Sequence, residues 1–329
     1  MDIWILGATG RTGRAIAAKL TAQGLTPAAV DRGLRGATAI AAEITRHRPA
    51  VVINTIGDYG ATAQAIARAG FPGGHYVDLA ADLIAIPRLL ALHEDAVAAG
   101  STLITGAGFG VLATEAVVAA LCEGRPTPRE VRVDALASVA MTDGILGTAL
   151  AASMIDVLIT GGRRYANDRL VKTRLGAGTR RITLPDGESV TSTPMPSGEL
   201  LAAHAASGAP FVTATSSFGS ITPAMRAMRL PLTIPALRRA AIARLARTPG
   251  KAAPQPRSHS WGHAIVDWPD GTRREGWLRA GEGMDYTAAV VAEVAARLAR
   301  GEGKPGAYTP AAAFGPDLAT VDDAEFILN

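Results

Sequence analysis

The chain has 329 residues, of which 48% are apolar and 19% charged, a composition typical of globular proteins rather than disordered ones. Its net charge is +4, with 33 Lys and Arg against 29 Asp and Glu, and no basic block suggests a nucleic-acid partner. The single cysteine, Cys122, rules out an intrachain disulfide and is typical of a reducing compartment. Because we find neither a secretory leader nor an apolar run of the roughly 18 residues that span a bilayer, we expect a cytoplasmic protein without an integral membrane segment.

The first 130 residues alternate short apolar runs with helical stretches. Strands are predicted at 2–6, 26–30, 49–57, 75–80 and 101–108, and helices at 11–23, 37–46, 61–69 and 83–99. Continuous apolar strands that alternate with helices favour a parallel sheet covered on both faces. We therefore predict an α/β fold with a doubly wound sheet in this part of the chain.

The pattern changes after residue 128, where antiparallel signals become more frequent. The predicted elements are a strand at 130–140, a helix at 144–162, hairpins with Pro-Asp-Gly turns at 179–192 and 263–278, and a last amphipathic helix at 286–299. This texture is typical of a substrate or dimerisation domain.

An arginine-rich segment, residues 223–251, lies between the two hairpins. We interpret it as a solvated face over an apolar stripe. A membrane surface or an acyl-carrier protein is the alternative partner for it.

The stretch GATGRTG follows the first strand and begins the first helix. Its glycines, Gly7, Gly10 and Gly13, suit a sharp turn, a close approach to a pyrophosphate and tight packing of helix on strand. Backbone N–H groups at the start of the helix then face the anion. We expect this loop to bind a dinucleotide, with Thr9, Arg11 and Thr12 as further contacts; a tight turn without a ligand is the alternative.

Charged side chains near the end of the second strand bear on the choice of cofactor. Asp31 lies where an acid would bind the ribose 2′-hydroxyl of NAD, 24 positions after Gly7. Arg32 follows it, and Arg11 and Arg35 are near in sequence, so that guanidinium groups are available for a 2′-phosphate. NADP(H) is therefore preferred, with NAD(H) as the alternative.

The carboxyl ends of the later strands carry the remaining candidate cofactor contacts. Ligands of a doubly wound sheet bind outside these ends. We expect the cofactor to contact Asn54, Thr55, Gly57 and Gly106.

Reduction of a double bond also requires a proton donor, for which tyrosine or a carboxyl of raised pKa is suited. Tyr59 and Tyr76 are the leading candidates, and the carboxylates are Asp58, Asp78 and Asp82. The competing interpretations are a buried strand position for Tyr76, a loop cap or cross-bond for Asp78 and a helix N-cap for Asp82. His259 and His263 have a helical metal spacing but no third ligand, so we predict no metal site.

Five segments carry a family resemblance: NTIGDY (54–59), HYVDLAAD (75–82), GAGFG (106–110), GTALAAS (147–153) and GAYTPAAAFG (306–315). They resemble motifs of the saccharopine dehydrogenase-like oxidoreductases, a family that includes trans-acting enoyl reductases of lipid pathways. The chain departs from the family's pattern at Asp58, where proline is usual, and at Ala81 and Asp82, where Gly-Glu is usual.

The resemblance implies a Rossmann-type domain (1–130), an inserted α+β substrate or dimerisation domain (131–285) and a last segment (286–329) that packs back on the first domain. It further implies an NAD(P)H-dependent reductase that transfers hydride to a C=C (enoyl) or C=N bond of a small, lipid-like or polyketide-like metabolite. An acyl substrate and a homodimer fit this class. Opine-type reductive amination and a non-catalytic NADP-binding sensor or scaffold are the alternatives.

Overall fold

A computed structural model describes residues 2–30, 36–141, 143–217, 222 and 227–328, apart from the side chain of Ala149. The chain forms two compact units. Unit 1 comprises Met1–Gly108 and Met284–Asp322, and unit 2 comprises Phe109–Gly283 and Asp323–Asn329.

The secondary structure within the described residues is as follows. The strands are β1 (Ile3–Leu6), β2 (Ala28–Ala29), β3 (Val51–Asn54), β4 (His75–Asp78), β5 (Thr102–Ile104), β6 (Glu130–Leu136), β7 (Gly144–Ile145), β8 (Gly162–Ala166), β9 (Arg169–Thr173), β10 (Arg180–Thr183), β11 (Ser189–Pro194), β12 (Phe211–Ser216), β13 (Pro249–Gly250), β14 (Ser260–Asp267), β15 (Arg273–Ala280), β16 (Gly306–Tyr308) and β17 (Glu325–Leu328). The helices are α1 (Arg11–Ala22), α2 (Ala37–His47), α3 (Tyr59–Ala69), α4 (Ala85–Leu90), α5 (His93–Ala98), α6 (Phe109–Cys122), α7 (Thr148–Thr160), α8 (Glu199–Ser207), α9 (Arg229–Leu232), α10 (Pro235–Ala246), α11 (Gly283–Ala299) and α12 (Pro310–Phe314), followed by a 3-10 helix at Pro316–Thr320.

Unit 1 is built on a six-stranded sheet in the order β16-β5-β4-β3-β1-β2. All five pairs of neighbouring strands are parallel. Because β2 lies on one side of β1 and β3 on the other, the connections reverse direction between β1 and β3. The predicted doubly wound α/β sheet is thus confirmed, and its topological switch point lies directly after β1.

The core of unit 1 follows from the apolar runs of its strands. Residues Ile3–Leu6 and Val51–Asn54 are buried along their whole length, as strands covered on both faces should be. The late strand β16 extends the sheet at its β5 edge, so residues 306–308 belong to the first sheet.

Unit 2 contains the predicted second domain, a mixed sheet with the path β10-β11-β12-β6-β14-β15-β17. Its compact region begins at Phe109, whereas the sequence placed the boundary near 130, because α6 packs with the second sheet. The close approach there is visible at Gly262 of β14, where an added Cβ would lie 2.7 Å from the Ala113 side chain of α6.

The helices α7, α9 and α10 form a separate small core within unit 2. The buried residues of this core are Ala151, Ala152, Ile155, Leu232, Ile242 and Ala246. Residues 144–145 (β7), just before α7, pair antiparallel with residues 249–250 (β13), just after α10.

Candidate nucleotide-binding site

The GATGRTG loop lies at the switch point of the unit 1 sheet. Gly7 follows β1 with φ +84°, a backbone conformation that L side chains rarely adopt. The Thr55 hydroxyl, directly after β3, donates a hydrogen bond to the Leu6 carbonyl at 2.7 Å. A Cβ at residue 7 would lie 2.5 Å from the Thr55 oxygen, so the two loops meet with no room for a side chain. This edge of the sheet is the usual dinucleotide position in doubly wound folds.

The start of α1 packs against the same loop. At Gly13 an added Cβ would lie 2.3 Å from the Gly7 carbonyl oxygen and 2.8 Å from the Ala8 Cα. Both neighbours are backbone atoms, so only glycine lets the helix come this close to the strand. Gly10 donates its N–H to the Gly7 carbonyl at 2.9 Å, which closes the turn.

The electrostatics at this helix end suit a phosphate. α1 has an N-cap glycine without a side-chain cap, and its first turn contains no acidic residue. A helix N-terminus of this kind carries a partial positive charge. The glycine cradle and the uncapped helix end therefore fit the pyrophosphate of a dinucleotide.

The other predicted loop residues differ in accessibility. Thr9 is exposed, while Arg11 and Thr12 are half-buried at the beginning of α1. The Arg14 guanidinium, which sequence reasoning did not single out, donates to the Thr9 carbonyl and holds the loop. The three residues predicted to read the 2′ position beyond β2, namely Asp31, Arg32 and Arg35, lie outside the described residues.

A buried hydrogen-bond network joins the ends of β3, β4 and β5. The Asn54 amide donates to the Tyr76 hydroxyl at 2.9 Å, and that hydroxyl donates to Asp78 at 3.0 Å. The other carboxylate oxygen of Asp78 accepts from the Thr105 hydroxyl at 2.8 Å and from the Ala80 N–H at 3.0 Å. The network fixes the three strand ends relative to one another.

Burial shapes the protonation of this network. Asn54 and Asp78 are 0% exposed, and Tyr76 is 1% exposed. Burial raises the pKa of Asp78 to about 6, although its hydrogen bonds act in the opposite direction. Burial and the nearby Asp78 charge also raise the pKa of the Tyr76 hydroxyl. Since both groups are enclosed and already paired, their geometry favours a positioning role for Tyr76 and Asp78.

Tyr59 lies in a different environment at the start of α3. It follows Gly57 and Asp58, which have φ +77° and +46°, so the chain leaves β3 through two left-handed residues. Tyr59 is half-buried, in contrast to Tyr76. Burial of its hydroxyl and the charges of Asp78 and Asp82 raise the pKa of Tyr59, so the phenol keeps its proton at neutral pH. Of the two predicted tyrosine donors, Tyr59 is the more accessible.

Asp82 lies at the start of α4, and its carboxylate accepts backbone N–H groups there, as a capping residue does. One of its carboxylate oxygens accepts from the Ile84 N–H at 2.8 Å and from the Ala85 N–H at 2.7 Å, at the start of α4. Gly106, a predicted cofactor contact, donates its N–H toward Asp78 at 3.3 Å and has φ +79°. The sequence did not identify Thr105 as a member of the network. The only sequence feature that could have indicated it is its position at the end of an apolar strand.

The histidines with metal-like spacing lie in unit 2 and do not converge on one point. His263 uses Nδ1 with Asp134 and Nε2 with Glu275, each at 2.9 Å, so its two nitrogens point to different carboxylates. His259 packs edge-on against Trp261, with ring centroids 5.9 Å apart. Within the described residues no group of three or more His, Cys, Asp or Glu side chains is arranged to hold a metal ion.

Similarity to known proteins identifies the fold of this chain but does not assign it to a family. No protein-family model matches the chain, and no curated protein sequence matches it. Saccharopine dehydrogenase (L-Glu forming) from Saccharomyces cerevisiae is similar in structure, with a TM-score of 0.54 and 11% identity over 100% of this chain and 99% of that one. The resemblance carried by the sequence motifs is therefore confirmed at the level of the fold.

More distant structures are also similar over nearly the whole chain. GenD2 from gentamicin A biosynthesis, solved with NAD, is 14% identical over 98% of this chain and 91% of that one, with a TM-score of 0.42. The WlbA dehydrogenase from Thermus thermophilus, solved with NAD and UDP-GlcNAcA, is 13% identical over 97% and 91%, with a TM-score of 0.39. At these scores neither adds to what is known of this chain's fold.

The described part of the chain contains no helix that combines the length and the apolar character needed to cross a membrane.

Proposed function

We propose that the protein is an NADP(H)-dependent reductase that delivers hydride to a C=C or C=N bond of a small or lipid-like metabolite. The observation that carries this proposal is the glycine cradle at the switch point, where Gly7 and Gly13 leave no space for a Cβ. A tight turn without a ligand would not require an uncapped helix start free of acidic residues beside it.

The residues that would hold the dinucleotide come from two loops of unit 1. Backbone N–H groups at the start of α1 would face the pyrophosphate, and Arg11 and Arg32 would bind the 2′-phosphate. The side chains of Asn54 and Thr55 are engaged within the protein, with Tyr76 and with the Leu6 carbonyl. They would thus shape the wall of the site, while Gly57 and Gly106 allow the close approach of a ligand.

The reduced nicotinamide, when bound, supplies a hydride to one atom of the acceptor double bond. The chain then has to supply a proton to the other atom. Tyr59 suits this task better than Tyr76 because its side chain is half-buried rather than enclosed, and its phenol stays protonated at neutral pH. The Asn54–Tyr76–Asp78 network would hold the adjoining strand ends in place during the reaction.

Turnover is the direct test of the proposed reaction. Purified protein is mixed with NADPH and a panel of enones and cyclic imines, and the loss of reduced cofactor is followed by absorbance. Oxidation of NADPH that depends on one acceptor class supports the proposal. Tight binding of NADPH without turnover of any acceptor would favour the sensor or scaffold alternative.

Cofactor preference is tested separately by equilibrium binding. Arg11→Gln and Arg32→Ala should weaken NADPH binding more than NADH binding, since only NADPH carries the 2′-phosphate. Arg46→Gln, an exposed arginine of α2 that pairs with Glu43, is the matched control. If the ratio of the two affinities is the same in all four proteins, the assignment to NADP(H) fails.

The proton donor is tested with Tyr59→Phe and Tyr76→Phe. Loss of a general acid lowers kcat by about 10²–10⁴-fold while leaving cofactor affinity intact. We expect this pattern for Tyr59→Phe. For Tyr76→Phe we expect a lower melting temperature instead, because Asn54 and Asp78 each lose a buried partner.

A further inference from the structure

Most of the large apolar side chains that are exposed in the described residues lie in or beside three helices of unit 2. Eight of the eleven large apolar side chains that are exposed in the described residues belong to α7, α9, α10 or the short segments beside them. Leu230 is 77% exposed and Ile145 is 67% exposed. We define these eight residues as the α7–α10 surface: Met141, Ile145, Leu150, Met154, Met228, Leu230, Ile234 and Leu237.

The helix α7 is apolar on both sides. Its inner side packs Ala151, Ala152 and Ile155 into the small core of these helices. Its outer side carries Leu150 and Met154, one helical turn apart and each more than 40% exposed. Surface helices of globular proteins normally turn a polar face to water. Exposed apolar residues that cluster in this way mark a site of interaction.

The segment that carries half of this surface, residues 227–251, is basic. Residues 227–251 contain five arginines, one lysine and no acidic residue. Arg238 makes two hydrogen bonds of 2.9 Å to Asp156, and Arg229 donates to the Ile159 carbonyl at 3.0 Å. The remaining cations are exposed and form no ion pair within the described residues: Arg239, Arg244, Arg247 and Lys251.

Apolar and basic residues share one side of α10. Ile242 and Ala246 face the core. Leu237 and Arg244 are seven residues apart on the opposite side, with Arg247 one turn further on. The exposed side therefore has an apolar beginning, next to Leu230 and Ile234 in the sequence, and a basic end.

We propose that the α7–α10 surface docks on an anionic phospholipid bilayer, with α10 lying in the plane of the headgroups. The apolar residues would enter the boundary between headgroups and acyl chains, and the four unpaired cations would bind lipid phosphates. An acidic protein would satisfy the cations but would leave eight apolar side chains to be matched by a complementary groove. A lipid surface takes up both features without shape complementarity. The proposal is independent of the reductase function.

The carboxylates near this surface leave the charge balance in favour of anionic lipid. Asp156 is bonded to Arg238, and Asp143 accepts the Ala252 N–H at 2.8 Å. These are the only acidic residues in 141–160 and 227–253, against six cations. With 13 residues, α7 is too short to span a bilayer and is suited to the interface.

The test is sedimentation of the full chain with vesicles of phosphatidylcholine alone, or of phosphatidylcholine and phosphatidylglycerol at about 7:3. We expect binding to the anionic vesicles only, weakened by raising NaCl from 50 to 500 mM. Each cation near such a surface is worth about fivefold in affinity, so the double variant Arg244→Gln/Arg247→Gln should bind about 25-fold more weakly. Leu230→Glu/Ile234→Glu should abolish binding.

Matched controls are available on the β8–β9 hairpin of unit 2. Leu170→Glu replaces an apolar residue that is 40% exposed, and Arg164→Gln removes an exposed arginine outside the α7–α10 surface. Both should bind vesicles like the wild type. A melting curve for every variant distinguishes the loss of vesicle binding from the loss of the folded structure.

Three results would overturn the proposal. The first is the absence of binding to anionic vesicles. The second is equal weakening by the surface variants and the hairpin controls. The third is a dimer in sedimentation velocity that Leu230→Glu/Ile234→Glu dissociates while vesicles stay unbound, since a second copy would then be the occupant.

Discussion

Asp78 should make the free energy of unfolding depend on pH, and the substitution Asp78→Asn should remove this dependence. Its carboxyl is 0% exposed, and burial raises its pKa from 3.8 to about 6. Because the pKa is higher in the folded chain than in the unfolded chain, folding favours the neutral carboxyl. This contribution to the free energy of unfolding is complete below about pH 4 and is lost as the pH rises through about 6.

The size of the effect follows from the same numbers. At about 1.4 kcal/mol per pH unit, a rise from 3.8 to about 6 corresponds to about 3 kcal/mol. Asp78→Asn cannot titrate, so the wild type should lose about 2 kcal/mol of this relative to it between pH 4 and 7. The variant should also carry a constant penalty of about 1–3 kcal/mol, because its amide N–H faces a Tyr76 hydroxyl that already accepts from Asn54.

Urea unfolding of the wild type and Asp78→Asn at several pH values measures the difference in their free energies of unfolding. The contributions of the other titrating groups cancel in this difference. Glu94→Gln, at an exposed position on α5, controls for the loss of a carboxylate as such. If the difference in unfolding free energy between the wild type and Asp78→Asn is the same at pH 4 and pH 7, the burial argument is refuted.

Two further predictions concern the glycine loop and the unit 2 network. Gly13→Ala should lower the melting temperature and abolish NADPH binding, because its Cβ would lie 2.3 Å from the Gly7 carbonyl oxygen. Gly10→Ala, whose Cβ would lie 3.2 Å from the same oxygen, should have a milder effect in thermal melts and cofactor titrations. Equal effects of the two substitutions would contradict this reasoning. Asp134→Asn should behave oppositely to Asp78→Asn. Although burial raises the pKa of Asp134, the hydrogen bond from His263 and the Arg132 charge lower this pKa overall. The stability lost in Asp134→Asn should therefore be largest at neutral pH and shrink below about pH 4. A loss that urea unfolding shows to be independent of pH would contradict this prediction.

Much of the unit 1 sheet was predictable because its strands are continuous apolar runs beside glycine-led helices. The stretch PAVVINTIG predicted β3, and GATGRTG predicted the turn from β1 into α1. The strand predicted at 26–30 is present only as the two-residue β2, and no such pattern predicted the hairpin β8–β9. The turn of that hairpin uses Asn167 and Asp168, both at positive φ, without a glycine.

The sequence singled out Asn54, Tyr76 and Asp78 of the buried network, but it did not reveal the hydrogen bonds among them. Tyr76 and Asp78 alternate on one strand, but their pairing with Asn54 and Thr105 depends on strand register. In the structure Asn54 lies opposite Asp78, and Val77 lies opposite Ile104. Register is set by the packing of the whole sheet, which one chain's periodicity does not reveal. The arginine-rich segment 223–251 was similarly visible in the sequence, but only the structure separates its paired cations from its exposed ones.

The strand β16 has a consequence for the order in which the chain folds during synthesis. Gly306 pairs with Thr102, so the first sheet is completed by a contact between residues 204 positions apart. Closing a loop of that length costs about 5 kcal/mol of chain entropy, and such distant contacts slow folding. Until the ribosome has made residues 306–308, the β5 edge has no partner strand and is open to intermolecular pairing. A nascent chain halted after Gly283 should therefore engage chaperones through this edge.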